Sequence, residues 1–105
     1  MAWMYLLLAG CFEMGWPVGL KLAQDSGQKV LGLSLALFCL TCSGVLLWLA
    51  QKEIAMGTAY AVWTGIGAAG TFLIGVWFFG DPASLPRYAG VLLIIAGVVV
   101  LRVAP

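Results

Sequence analysis

The stretch 30–51, VLGLSLALFCLTCSGVLLWLAQ, contains no charged residue. A helix rises about 1.5 Å per residue and a bilayer core is roughly 30 Å thick, so a run of this length can cross a membrane. Outward from it, residues 54–80 form a second, longer uncharged run. Residues 2–20 form an apolar segment interrupted by Glu13, and residues 86–104 form another, with Arg87 and Arg102 near enough to its ends to snorkel into headgroups. The linkers are KLAQDSGQK at 21–29, a short stretch around Lys52 and Glu53, and GDPASLPR at 80–87, whose Gly, Pro, Asp and Ser are turn formers. The chain reads as a single-domain, all-α integral membrane protein of four transmembrane helices. Its opening MAWMYLLLAG has neither a basic leader nor a small-residue cleavage site, so the first helix is expected to remain in the protein.

Composition agrees. Of 105 residues, 64% are hydrophobic and 9% charged, against roughly 25% charged in an ordinary soluble domain. Nine charged side chains could not cover a water-facing exterior. The net charge of +1, without a long charge run, gives no support for a nucleic-acid partner or an acidic-substrate groove. Cys11, Cys39 and Cys42 lie in apolar segments and the chain has no His, so they read as small apolar side chains rather than as a metal site.

Four spans put both termini on one side with Lys52 and Arg102, and Lys21, Lys29 and Arg87 on the other. Two basic residues against three, with a free N-terminal amine on the poorer side, leaves orientation nearly undetermined. Either a short chain simply has few charges, or it inserts both ways and assembles as an antiparallel homodimer.

Helices in lipid associate through close backbone approach, so small residues are informative. Gly65, Gly67, Ala68, Ala69 and Gly70 thin one side of the third span and allow it to bend. Gly90 and Gly97, seven apart, share a face of the fourth span and suit a helix contact across a dimer.

Glu13 is the only acid inside any span. An ionised carboxylate at that depth costs at least about 2.5 kcal/mol, so it should face the bundle interior and take up a proton when no cation is present. Proton and cation then compete for one site; the alternative is a permanently protonated Glu clamping helices together. Gly10, Glu13, Trp16 and Pro17 share a helix face. Gly10 is expected to leave room beside the carboxylate, and Trp16 offers a π-face for a cation and an N–H donor. Tyr60, Trp63 and Thr64 make a second polar stripe, and Ser43 can supply a third contact. Trp3, Trp48 and Trp77, nearer span ends, read as interface anchors. Pro17 removes the donor that would bond the Glu13 carbonyl, which either exposes that acceptor to substrate or merely kinks the helix.

The lone Glu within AGCFEMGW at 9–16, together with Ser43, GTAYAVWTGIGAAGT at 57–71 and GVLLIIAG at 90–97, closely resembles the small multidrug resistance family of transporters from end to end. Trp16 three residues after the Glu, with GLK at 19–21, resembles the guanidinium-exporter subtype, whereas the quaternary-ammonium subtype usually carries a small residue there. The resemblance implies a dual-topology homodimer in a bacterial inner membrane, with no cofactor, whose two Glu13 carboxylates share one site opening alternately to each side. Guanidinium would leave as protons enter. Glu13 would bind proton or cation, Trp16 and Ser43 would orient it, Tyr60 would line the access path and Trp63 would shape the pocket. The segment containing Gly90 and Gly97 would be the dimer contact. A planar guanidinium ion suits this, because its N–H fork matches carboxylates. Pro17 stands where the subtype has an ordinary helix former; guanylurea and singly substituted guanidines then become plausible substrates, one end bound and a tail between helices. Two other functions compete with guanidinium export: promiscuous export of quaternary ammonium compounds, and service as one subunit of a heterodimeric pair or larger complex.

Overall fold

The computed structural model describes residues 1–105 except Ser26, with Asp25 described by its backbone alone. Among the described residues there are four helices: α1 (Ala2–Asp25), α2 (Lys29–Ala50), α3 (Met56–Phe78) and α4 (Leu85–Val103). All four are long and apolar enough to cross a membrane. Helix is the form that satisfies every backbone N–H and C=O within one segment, as a water-free bilayer core demands.

Three of the four expected spans match to within two residues at each end. The first does not: α1 continues past residue 20 to Asp25. Lys21, Leu22, Ala23 and Gln24 are good helix formers and nothing stops them before Gly27, whose φ of +71° is the left-handed conformation that ends a helix readily. Lys21 is therefore a helical residue and not part of a loop.

The α3 end is closed by Gly80 at φ +72°, with the Gly75 carbonyl accepting from the amides of Phe79 (3.1 Å) and Asp81 (3.0 Å). Helix α4 is capped at its N-terminus by Ser84, whose hydroxyl accepts from the Arg87 amide at 3.4 Å, with Pro86 in the first turn.

Small residues decide which helices meet. A β-carbon at Gly19 would lie 2.6 Å from both the Gly32 carbonyl and the Ala36 amide nitrogen, and one at Gly32 would lie 2.5 Å from the Gly19 carbonyl. Helices α1 and α2 thus touch backbone to backbone, extended by Gly15 against Cys39. Helix α3 lies on α1 through Gly67 and Gly70, which receive Glu13 and Met14, and among the described residues α4 packs its backbone only on α3, where Gly65 receives Val98. At the end holding both termini, Leu6 and Val62 are fully buried among Ala2, Ala50, Ile54 and Ala59.

The outer surface is apolar, as lipid permits. Val30, Leu37, Leu93 and Phe78 are all exposed. Trp48 and Trp3 each carry a cation over the ring, Lys52 at 4.9 Å and Arg102 at 4.8 Å, which fits anchors at a membrane interface.

Candidate functional site

Glu13 stands midway along α1 and faces α3, where Gly67 supplies the space it occupies: a β-carbon at Gly67 would lie 2.5 Å from the Glu13 Cγ. One carboxylate oxygen, Oε1, is buried and has no hydrogen-bond partner among the described residues. Beside it is a cavity of about 240 Å³ lined by Glu13 and Pro17 from α1 and by Thr64, Gly67, Ala68 and Thr71 from α3. A buried, unpartnered carboxylate oxygen is costly, and the group that most readily relieves it is a proton or a donor-rich cation.

Helix periodicity explains how α3 builds its side of this cavity. Thr64, Gly67 and Thr71 follow at spacings of three and four and share a face. On α1, Pro17 is one turn beyond Glu13 and has no N–H, so the Glu13 carbonyl has no main-chain partner one turn on.

One turn toward the N-terminus, a hydrogen-bonded relay joins three helices. The Trp63 indole N–H donates to the Ser43 hydroxyl at 2.7 Å, and that hydroxyl donates to the Ala9 carbonyl, also at 2.7 Å. Ser43 is wholly buried. The Ala9 carbonyl is the one that the Glu13 amide meets in an α-helix, so the relay fixes the backbone turn on which Glu13 sits. The ring of Tyr60 leans on that of Trp63, centroids 5.3 Å apart and planes at 53°.

The residues singled out from sequence therefore divide. Glu13 and Gly67 meet directly, and Ser43, Trp63 and Tyr60 form one connected group a turn away. Trp16, half-buried, is not among the residues lining the Glu13 cavity. Gly10 does not make room for the carboxylate; a β-carbon there would lie 2.6 Å from Ile66, so this glycine seats α3 on α1. Gly65 and Gly67 lie in an uninterrupted helix and serve as contact points toward α4 and α1. Gly90 and Gly97 face open space: beyond the adjoining backbone of α4 itself, no described atom lies within 4 Å of a β-carbon built on either. Thr71 was missed from sequence, although its place four residues after Gly67 and seven after Thr64 is a visible signal.

Comparison with known proteins agrees with this architecture. Residues 1–94 match the family model described as Small Multidrug Resistance protein. A guanidinium exporter of Yersinia pseudotuberculosis is 41% identical over 104 residues, covering 99% of each chain. Guanidinium exporters of Salmonella typhimurium and Escherichia coli K12 are 38% and 36% identical, over 99% of this chain and 98% of theirs. Four apolar helices and full-length similarity to transporters of this kind place the protein in the bacterial inner membrane as a multi-pass protein, and the chain belongs to the small multidrug resistance family.

Proposed function

We propose that the protein exports guanidinium and small guanidinyl cations in exchange for protons, with Glu13 as the group over which the two compete. The observation that carries this reading is the buried, unpartnered Oε1 of Glu13 beside a cavity that Thr64 and Thr71 also line. A carboxylate in a medium of low dielectric binds a cation strongly only when ionised, and sheds the cation when protonated. Occupancy by one therefore excludes the other, which is the requirement for antiport. Guanidinium supplies a planar fork of N–H donors for the carboxylate, the threonine hydroxyls and the Glu13 carbonyl left open by Pro17. Quaternary ammonium ions have no N–H to give these acceptors. The names of the full-length relatives support the same substrate class.

The working unit in this reading is an antiparallel homodimer that exposes its two Glu13 carboxylates alternately to each side. The open face of Gly90 and Gly97 on the sparsely buried α4 and the near balance of basic residues support it. Trp16 then acts across the dimer or in another conformation of the transport cycle. Guanylurea and singly substituted guanidines belong to the same substrate class.

Proton displacement tests the reading directly. Guanidinium added to purified protein in weakly buffered detergent solution should release protons, whereas tetramethylammonium should release few and Glu13→Gln protein none. Equal release by tetramethylammonium would reassign the substrate class, and guanidinium binding without proton release would remove the antiport mechanism.

A further inference from the structure

Beyond the Glu13 cavity, toward the α3–α4 turn, lies a second hollow of about 160 Å³ whose lining includes Pro17, Lys21, Thr71, Gly75 and Asp81. Pro17 and Thr71 also line the cavity at Glu13, so the two spaces adjoin along the same two side chains. The outer one adds a second carboxylate next to the cavity at Glu13.

The backbone places that carboxylate. Asp81 follows Gly80 in its left-handed conformation, and its amide donates to the Gly75 carbonyl at 3.0 Å. Gly75 itself is buried, and a β-carbon there would run into the Asp81 carboxylate oxygen Oδ2. The glycine is thus a notch in α3 against which the Asp81 side chain lies at the cavity while remaining open to solvent. Lys21, carried there because α1 runs on to Asp25, gives the same cavity an opposing charge.

We infer that Asp81 is an outer cation station, a carboxylate at the mouth of the transport path that gathers guanidinium from water and passes it to, or receives it from, Glu13. The inference rests on Glu13 being the exchange site. Asp81 is solvent-exposed, so it attracts cations over a distance that depends on ionic strength and does not hold them tightly. Its effect belongs to capture, and therefore to KM at low salt, while Glu13 governs turnover.

Initial rates of guanidinium uptake into proteoliposomes, for wild type, Asp81→Asn, Asp81→Glu, Lys21→Gln and Glu13→Gln, test this. Asparagine leaves the main-chain bond from residue 81 to Gly75 in place, so the α3 end is preserved. At about 10 mM salt, Asp81→Asn should raise KM about fivefold with the maximal rate within about twofold, as loss of one exposed unit charge at contact distance implies. The difference should vanish near about 1 M salt, where the screening length is roughly 3 Å. Asp81→Glu should keep the wild-type KM, and Lys21→Gln should lower it. A KM for Asp81→Asn equal to wild type at low salt overturns the station, as does a loss of maximal rate with unchanged KM, which would make Asp81 a structural residue of the turn. Uptake that survives in Glu13→Gln, or is absent from wild type, overturns the exchange-site reading and the station with it; Glu13-dependent uptake with an Asp81-independent KM overturns the station alone.

Discussion

Gly67 of α3 and Glu13 of α1 interlock: the glycine presents bare backbone where any β-carbon would lie 2.5 Å from the Glu13 Cγ. Close approach of two helices is thereby achieved at the one position where a membrane-embedded acid must be accommodated. The space is made by the partner helix and not by a neighbour on the acid's own helix.

A methyl group at residue 67 should consequently act on Glu13 first. Gly67→Ala is expected to cut guanidinium transport by tenfold or more on the order of magnitude, since overpacking of this kind costs about 1–3 kcal/mol and here displaces the reacting group. Detergent-purified variant should still elute as folded protein. Gly44→Ala, at a position with nothing within 4 Å of a β-carbon, is the control and should transport like wild type.

The Trp63–Ser43–Ala9 relay is measurable as a coupling. Ser43→Ala leaves the Trp63 indole N–H without its partner, and Trp63→Phe leaves Ser43 with only its carbonyl. A double-mutant cycle on unfolding in mixed detergent should return a coupling of roughly 0.6–1.7 kcal/mol, the range for hydrogen bonds between membrane helices. A coupling near zero would show that the relay does not contribute to holding α1, α2 and α3 together.

Competition between proton and cation sets the sign of the pH dependence. In the proposed exchange, lowering the pH protonates Glu13 and removes the anion that would bind guanidinium, so apparent affinity should fall as pH falls, by about tenfold per pH unit for each proton displaced. Titration calorimetry across a series of pH values would read this slope. Glu13→Asp should keep a slope, and affinity independent of pH would contradict the competition.

A dimer contact at Gly90 and Gly97 can be separated from folding because neither glycine has an intrachain neighbour for a new side chain to strike. Gly97→Leu should leave helix content by circular dichroism unchanged while reducing the dimeric fraction in bilayers, counted by single-molecule photobleaching. Unchanged dimerisation would move the contact to another face.

Several features were legible in the residue order because each depends on one segment alone. The uncharged run at 30–51 could only be a span in a chain this apolar, and Glu13 declared itself by being the single acid within any span. The α3–α4 turn was equally plain, since Gly80 adopts the positive φ for which glycine is suited, whereas the first linker was read from residue 21 although α1 runs on to Asp25. Less legible was everything that depends on which face of one helix meets which face of another. Periodicity grouped Gly10 with Glu13, yet Gly10 seats Ile66 and the room for the acid comes from Gly67. Thr71 lines the cavity although the glycine-rich segment before it drew attention to bending. Helical rotation is fixed by the fit of small residues across helices, such as Gly19 against Gly32, and a single helix's sequence does not encode its partner's register.

In the proposed mechanism Glu13 exchanges protons for guanidinium. The most direct test of that exchange is accumulation of radiolabelled guanidinium in proteoliposomes made acidic inside, with the membrane potential clamped by potassium and valinomycin. Wild-type protein should concentrate guanidinium inside as protons leave, a protonophore should abolish the accumulation, and Glu13→Gln at equal reconstitution should show none. Accumulation by Glu13→Gln, or wild-type uptake that only equilibrates whatever the pH gradient, would contradict the account.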